Sequence, residues 1–214
     1  MMLQNRRYVF LGPQGSGKGT QAKLLAEAFG IPHISTGDIF RAAVNQDAVL
    51  GQRIAAGLTS GKLIVDEDTN SLVADRLSAA DAQKGFILDG YPRTMTQVEY
   101  LEKLAPPAKI ILLNLSDDEA IARMRARRVC ADCGSQLSSL PKSPRQLKIC
   151  DNCGGNLRRR LDDSEEAIKE RLKLYHRETE PLIKYYKKSG RLITIDGRPA
   201  IAKIYEDIRR ALQM

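Results

Sequence analysis

The chain has no tryptophan, four phenylalanines, seven tyrosines and two histidines among its 214 residues. So few aromatics argue against a surface that grips single-stranded nucleic acid by stacking bases on rings. His33 and His176 have no carboxylate or cysteine beside them in a recognisable pattern, so both are expected to be structural and histidine-based nucleophilic catalysis is unattractive. No apolar run is long enough to cross a bilayer, and no leader with an apolar stretch precedes the first strand pattern. A cytoplasmic protein without membrane contact is the expectation. Neither an internal repeat nor a low-complexity tail is present. Cysteine is confined to one segment. Charge is plentiful: 34 Lys and Arg face 26 Asp and Glu, a surplus of eight positive charges. That surplus suits a polyanion, whether nucleotide phosphate or nucleic acid.

The strongest local signal is Gly12-Pro13-Gln14-Gly15-Ser16-Gly17-Lys18-Gly19-Thr20. It follows the apolar run Tyr8–Leu11 and precedes a helical pattern from Gln21 to Phe29. Strand, glycine loop and helix in that order turn backbone N–H groups toward a phosphate at the positive end of the helix. The glycines allow positive φ and close approach of a ligand, and Lys18 adds a charge that reaches terminal phosphates. Gly12 to Lys18 fits G-x-x-x-x-G-K-[ST], but Gly19 stands where the hydroxyl residue belongs and Thr20 comes one later.

Apolar runs at Tyr8–Leu11, His33-Ile34, Phe86–Leu88, Ile110–Leu115 and Leu192–Ile195 read as five strands. They are mostly continuous, as in strands covered on both faces. Helical patterns lie between them, so the fold class is α/β: a five-stranded parallel sheet of P-loop type flanked by helices. Ser116-Asp117-Asp118-Glu119 reads as a capping box, and Asp163 with Glu166 as the opening of another helix. Two segments break the rhythm. One, 35–64, is helical with no strand of its own. The other, 128–162, is rich in Cys, Pro, Ser and Gly. Both read as insertions over the ligand face of a core made of 1–34, 65–127 and 163–214.

Cys130-x-x-Cys133 and Cys150-x-x-Cys153 are separated by 16 residues and have the spacing of a structural zinc site. Four sulfurs leave no open coordination position, so such a metal holds the fold and does no chemistry. Disulfides are the competing reading, disfavoured in a cytosolic protein. A nucleic-acid-binding ribbon, helped by Arg127, Arg128, Arg145 and Lys148, is a further one.

Leu88-Asp89-Gly90-Tyr91-Pro92-Arg93 ends the third strand and sets a carboxylate and an arginine beside the glycine loop. Asp89 can order the waters of Mg²⁺, and Arg93 offers a planar fork to phosphate. After the second strand, Thr36 is expected as a helix N-cap, with Asp38 in the first turn and Arg41 one turn in. Arg123 and Arg127, four apart, are expected on one helical face. Like charges gathered in one cleft need an anion, and phosphoryl transfer supplies several.

With these motifs in hand, the chain resembles adenylate kinase of the bacterial type whose long lid binds zinc. The resemblance covers nearly the whole length and rests on Gly12–Thr20, Ser35–Asp38 with Arg41, Leu88–Arg93 with Gln97, Arg127–Cys130, and Arg160-Leu161-Asp162-Asp163. It implies reversible transfer of a phosphoryl group from Mg-ATP to AMP, giving two ADP. It implies that Gly15, Ser16, Gly17, Lys18, Gly19 and Thr20 hold the ATP phosphates, with Arg123 and Arg198 at the adenine. It further implies that Thr36, Arg41, Leu63, Ile64, Val65, Gly90, Arg93 and Gln97 bind AMP. Arg127, Arg160 and Arg171 would grip the phosphates in flight, and Asp89 would organise Mg²⁺. Zn²⁺ on Cys130, Cys133, Cys150 and Cys153 would staple the lid of a monomer that binds no nucleic acid. The chain departs from the family in lacking an aromatic between Gly134 and Ser138, and in having Lys142-Ser143-Pro144 and Leu161 where the family has other residues. Other nucleoside monophosphate kinases, a nucleic-acid-stimulated NTPase and a nucleotide sensor are the alternatives.

Overall fold

The computed structural model describes residues 6–44, 48–137, 148–160 and 163–214. Five strands form one parallel sheet: β1 (Arg7–Leu11), β2 (His33–Ser35), β3 (Phe86–Asp89), β4 (Lys109–Asn114) and, last in the chain, β8 (Leu192–Asp196). Their spatial order is β2-β3-β1-β4-β8. The expected strands are all present, and every pairing in this sheet is parallel.

Alternation along the strands divides the core in two. Val9, Leu11, Phe86, Leu88, Ile110 and Leu112 point to one face, against Val73, Leu77, Val98, Leu101, Leu182 and Tyr186. Those partners come from α4 (Asp66–Ser78), α5 (Met95–Leu104) and α8 (Glu180–Lys188). Tyr8, Phe10, Ile87, Ile111, Leu113 and Ile195 point to the other face, against Ala22, Leu25, Ile204 and Ile208. These belong to α1 (Lys18–Phe29) and α9 (Ile201–Ala211). Phe10, Phe86, Ile87, Leu88, Ile110 and Ile111 are fully enclosed, each contributing about 1.5–3 kcal/mol by burial. Continuous apolar strands are what a sheet covered on both sides requires.

The first interrupting segment forms α2 (Thr36–Ala43) and α3 (Ala48–Ser60), with a small apolar cluster of its own around Phe40, Ala43, Ile54 and Ile64. The second begins where α6 (Asp117–Ala126) ends. Its strands β5 (Arg128–Cys130), β6 (Gln136–Leu137) and β7 (Leu157–Arg158) make a separate antiparallel sheet in the order β6-β5-β7. The chain returns through α7 (Glu165–Leu174) and a π-helical turn, Tyr175–Thr179, to α8.

Local chemistry explains several boundaries. Ser116 and Glu119 form the expected capping box at α6. Gly30, at φ 64°, closes α1 with the left-handed turn that glycine favours. Two expected caps are corrected. The N-cap before α2 is Ser35, and Thr36 is the first helical residue. The N-cap of α7 is Ser164, which accepts from the Ala167 N–H, while Asp163 is turned inward. Arg127 also leaves the helix: it is the C-cap of α6, with ψ 134°, because the chain there extends into β5.

Candidate active site

Strand register brings distant segments to one edge. Phe10 of β1 pairs with Asp89 of β3, Ser35 of β2 pairs with the same Asp89, and Asn114 of β4 pairs with Asp196 of β8. The loops beginning at Gly12, Thr36, Gly90 and Gly197 therefore all leave on the same side. β1 lies between β3 and β4, so its loop emerges where successive connections diverge, the place where open α/β sheets bind ligands. A cleft of about 550 Å³ lies there. Gly15, Gly17, Lys18, Gly19, Thr20, Arg41, Leu63, Ile64, Asp89, Gly90, Arg93, Gln97, Arg123, Arg127, Arg160 and Arg171 line it.

The glycine loop wraps the N-terminus of α1. Gly17, at φ 93°, precedes the helix and no side chain caps it, so the N–H groups of its first turn are open to an anion. Gly15, at φ 86°, could not carry a side chain: a Cβ there would lie 2.8 Å from the Ala120 carbonyl. The Lys18 ammonium folds back to donate to the carbonyls of Gly12 (2.7 Å) and Pro13 (2.8 Å). Burial pushes its pKa down to about 8; Arg93 and Arg127 lower it further and Asp89 opposes them. A phosphate would reverse this, since it replaces lost solvation with charge. Gly19 faces Asp89, where a Cβ would come within 3.1 Å of a carboxylate oxygen. That proximity is the physical reason a glycine suits the hydroxyl position.

Asp89 is held ionised. Burial alone would raise its pKa, but His33, Lys18 and Arg93 lower it on balance. The His33 Nε2 lies 3.6 Å from the carboxylate. His33 thus sits beside a carboxylate without a hydrogen bond from its Nε2, and His176 lies between Asp117 (2.9 Å) and Glu180 (2.8 Å). Asp89 and Asp117 are distant in sequence and reach the rings only through the fold. The Arg93 Nε donates to the Gly90 carbonyl at 2.7 Å. Burial and the Arg171 charge lower its pKa, against Asp89.

Asp163 joins two arginines. Its carboxylate accepts from the Arg127 Nε at 2.8 Å, from an Arg127 Nη, and from the Arg171 Nη1 at 3.2 Å. Its side chain is only 2% exposed. Arg171 also donates to the Leu58 carbonyl at 3.2 Å, tying α7 to α3. Asp163 is the site residue that sequence reasoning missed as an arginine partner. Of the motif around it, Leu161 and Asp162 lie outside the described residues, as do Ser138, Lys142, Ser143, Pro144 and Arg145.

On the β2 side, the Thr36 hydroxyl is buried and donates to the Gly90 carbonyl at 3.0 Å. It joins the two loops and is not among the lining residues. Arg41 pairs with Asp38 at 2.5 Å. Leu63 and Ile64 reach the cleft, whereas Val65 is 58% exposed and does not line it. Across the glycine loop, Ser16, Gly17, Thr20, Arg123, Arg198 and Ile201 line a smaller cavity of about 260 Å³. The Arg123 guanidinium is held by the carbonyls of Gly197 (2.9 Å) and Arg198 (3.1 Å). Arg198 itself pairs with Asp196 at 2.8 Å.

The four cysteines converge. Their sulfurs all lie within 4.8 Å of one another, with Cys130–Cys153 at 3.5 Å and Cys133–Cys150 at 3.7 Å. A tetrahedron with Zn–S bonds of about 2.3 Å has edges of about 3.8 Å, whereas a disulfide needs about 2.05 Å. The two knuckles match. The N–H groups of Gly134 and Gly154, both at positive φ, donate to the carbonyls of Cys130 and Cys150. The N–H groups of those two cysteines donate to Ser135 and Gly155. Hydrogen bonding with Ser135 pushes the Cys133 thiol down, while the neighbouring thiols Cys133 and Cys130 push Cys153 up. The donor set fits Zn²⁺.

Known proteins are similar to this chain in sequence. A family model described as adenylate kinase matches residues 10–191. An adenylate kinase of Treponema denticola is 46% identical over 196 residues, covering 92% of this chain and 94% of that protein. Those of Caldanaerobacter subterraneus and Clostridium acetobutylicum are 44% and 43% identical, each covering 96% of this chain and 96% and 98% of their own. With the glycine loop, the parallel sheet and the cationic cleft in place, the chain belongs to the adenylate kinase family.

Proposed function

We propose that the cleft binds two adenine nucleotides end to end and passes a phosphoryl group from ATP to AMP, reversibly, to give two ADP. One observation carries the reading: Lys18, Arg93, Arg127, Arg160 and Arg171 line one cleft together with Asp89, beside the open N-terminus of α1. Asp89 and Asp163 offset only part of that positive charge, so the cleft attracts further anions. Gly15 to Thr20 hold the ATP phosphates, with the base in the cavity beside Arg123 and Arg198. Arg41, Arg93, Gln97 and the 63–64 backbone hold AMP, with Thr36 joining the loops beneath it.

The phosphate of AMP is already a competent nucleophile at neutral pH, so no general base is required. One of its oxygens forms a bond to the γ-phosphorus of ATP, the bond to the β–γ bridging oxygen breaks, and ADP leaves. The chain supplies alignment and charge neutralisation. Adenylate kinases generally use Mg²⁺, which Asp89 would hold through water and which supplies further neutralisation of the phosphate oxygens. Cys130, Cys133, Cys150 and Cys153 hold a structural Zn²⁺. Segment 128–162 acts as a lid and 35–64 as the acceptor-binding insertion, closing over a rigid core of 1–34, 65–127 and 163–214 to exclude water. The enzyme acts as a cytoplasmic monomer and needs no nucleic acid.

Turnover with ATP and each of AMP, CMP, UMP and GMP, on a sample of measured zinc content, tests this. Fast ADP formation with AMP supports it. No interconversion of ATP plus AMP with ADP refutes it.

A further inference from the structure

The Gln97 side chain is 2% exposed and lines the acceptor side of the cleft. Its amide is held from both ends. The Arg93 backbone N–H donates to Gln97 Oε1 at 2.7 Å. Gln97 Nε2 donates to the Asp66 carboxylate at 2.7 Å. A backbone N–H can only donate and a carboxylate can only accept, so the two partners independently fix which end of the amide is oxygen. Asp66 is itself steadied: its other oxygen accepts from the Thr94 hydroxyl at 2.8 Å, and Thr94 caps α5 by accepting from the Gln97 N–H at 3.2 Å. Asp66 opens α4, where the helix dipole favours its negative charge.

We propose that Asp66 is a specificity-determining positioning residue: by locking the Gln97 amide it makes the acceptor site select bases with an amino group at purine C6 or pyrimidine C4 over bases with an oxo group at that position. The inference rests on the acceptor reading of the cleft given above. An amide held in this way keeps one free lone pair on oxygen and one free N–H. Adenine and cytosine offer an amino N–H beside a ring nitrogen that accepts, in matching order. Guanine, hypoxanthine and uracil offer a carbonyl beside a ring N–H, the reverse order, and would need the amide flipped. Flipping sets oxygen against the Asp66 carboxylate and N–H against N–H at Arg93. Discrimination therefore comes from a repulsion built into the chain as much as from an attraction. Thr69, one turn along α4, also lines the cleft; its buried hydroxyl oxygen has no hydrogen-bond partner in the described structure. A hydroxyl donates or accepts with equal ease, so Thr69 can add affinity without choosing between base classes.

AMP and inosine monophosphate isolate the effect, because they differ only at the 6-position and the neighbouring ring nitrogen. Their relative affinity is measured by competition against labelled AMP, and their relative kcat/KM by turnover of a mixture, for the unaltered protein, Asp66→Asn and Thr69→Val. Both ratios are independent of the fraction of protein that is folded. Asp66→Asn keeps the volume and an acceptor for Thr94 but lets its own amide donate to a flipped Gln97. The AMP preference is expected to fall about tenfold or more in Asp66→Asn, while Thr69→Val weakens both nucleotides alike and leaves the ratio unchanged. A ratio in Asp66→Asn within twofold of the unaltered protein overturns the proposal, as does a ratio that moves only in Thr69→Val. Absence of turnover in the unaltered protein would instead strike the reaction assigned to the cleft, and the binding ratio would still decide the role of Asp66.

Discussion

Arg127 forks onto Asp163: its Nε and an Nη both donate to a carboxylate that is almost wholly buried and also takes Arg171. Two of the cations assigned to the phosphates thus share one carboxylate, which offsets half of their charge before any nucleotide arrives. Incoming phosphates then share these arginines with a carboxylate, and the cleft avoids a cluster of unpaired like charges.

Asp163→Ala removes the shared partner and leaves two largely buried guanidinium groups facing each other. Breaking such a pair costs about 3 kcal/mol, so urea denaturation is expected to show a deficit of that order. A dinucleoside pentaphosphate spanning both nucleotide positions should shrink the deficit, because its phosphates replace the carboxylate. A deficit unchanged by saturating ligand would show that Asp163 has no connection to phosphate binding.

Burial pushes the Lys18 ammonium down to about 8, against the pull of Asp89 and helped by Arg93 and Arg127. Below that pH it carries the charge a phosphate needs; above it the side chain loses the charge. Apparent affinity for ATP and kcat/KM for ATP are therefore expected to fall as pH rises through about 8. The bound complex should hold its proton to higher pH, since the phosphate favours the charged form. For stability the sign is opposite. The native pKa lies below the unfolded one, so this group disfavours the folded state at neutral pH and the penalty fades as pH rises from about 8 toward the unfolded value. A kcat/KM profile flat from pH 7 to 9.5 would contradict the placement of Lys18 against phosphate.

Cys150→Ser removes one of four converging sulfurs from a segment whose described strands are only two or three residues long. Zinc content by elemental analysis should fall from one per chain, and the melting temperature should drop, while far-ultraviolet circular dichroism of the core persists. A strong chelator on the unaltered protein should reproduce the drop. Full zinc content and unchanged melting in Cys150→Ser would contradict a four-sulfur staple.

What the sequence disclosed was local. The glycine loop, the capping box at Ser116 and the C-x-x-C knuckles each depend on residues a few positions apart, and the doubly covered sheet announced itself through unbroken apolar runs. What it concealed was pairing across the fold. Asp163 looked like a helix cap because a carboxylate before Ser164 suits one, and only the crossing of α6 and α7 reveals its two arginines. His33 and His176 looked unpartnered because Asp89 and Asp117 come from other elements. Thr36 looked like a cap, yet its hydroxyl crosses to Gly90 because β2 and β3 end side by side. Asp66 carried no signal until α4 and α5 set it against Gln97.

The most direct measurement is single-turnover phosphoryl transfer from ATP to AMP by Lys18→Ala, with folding checked by circular dichroism. If cations gathered around the glycine loop drive the exchange, transfer should slow by about 10³-fold or more in a protein that remains folded. Transfer within a few-fold of the unaltered rate would contradict it.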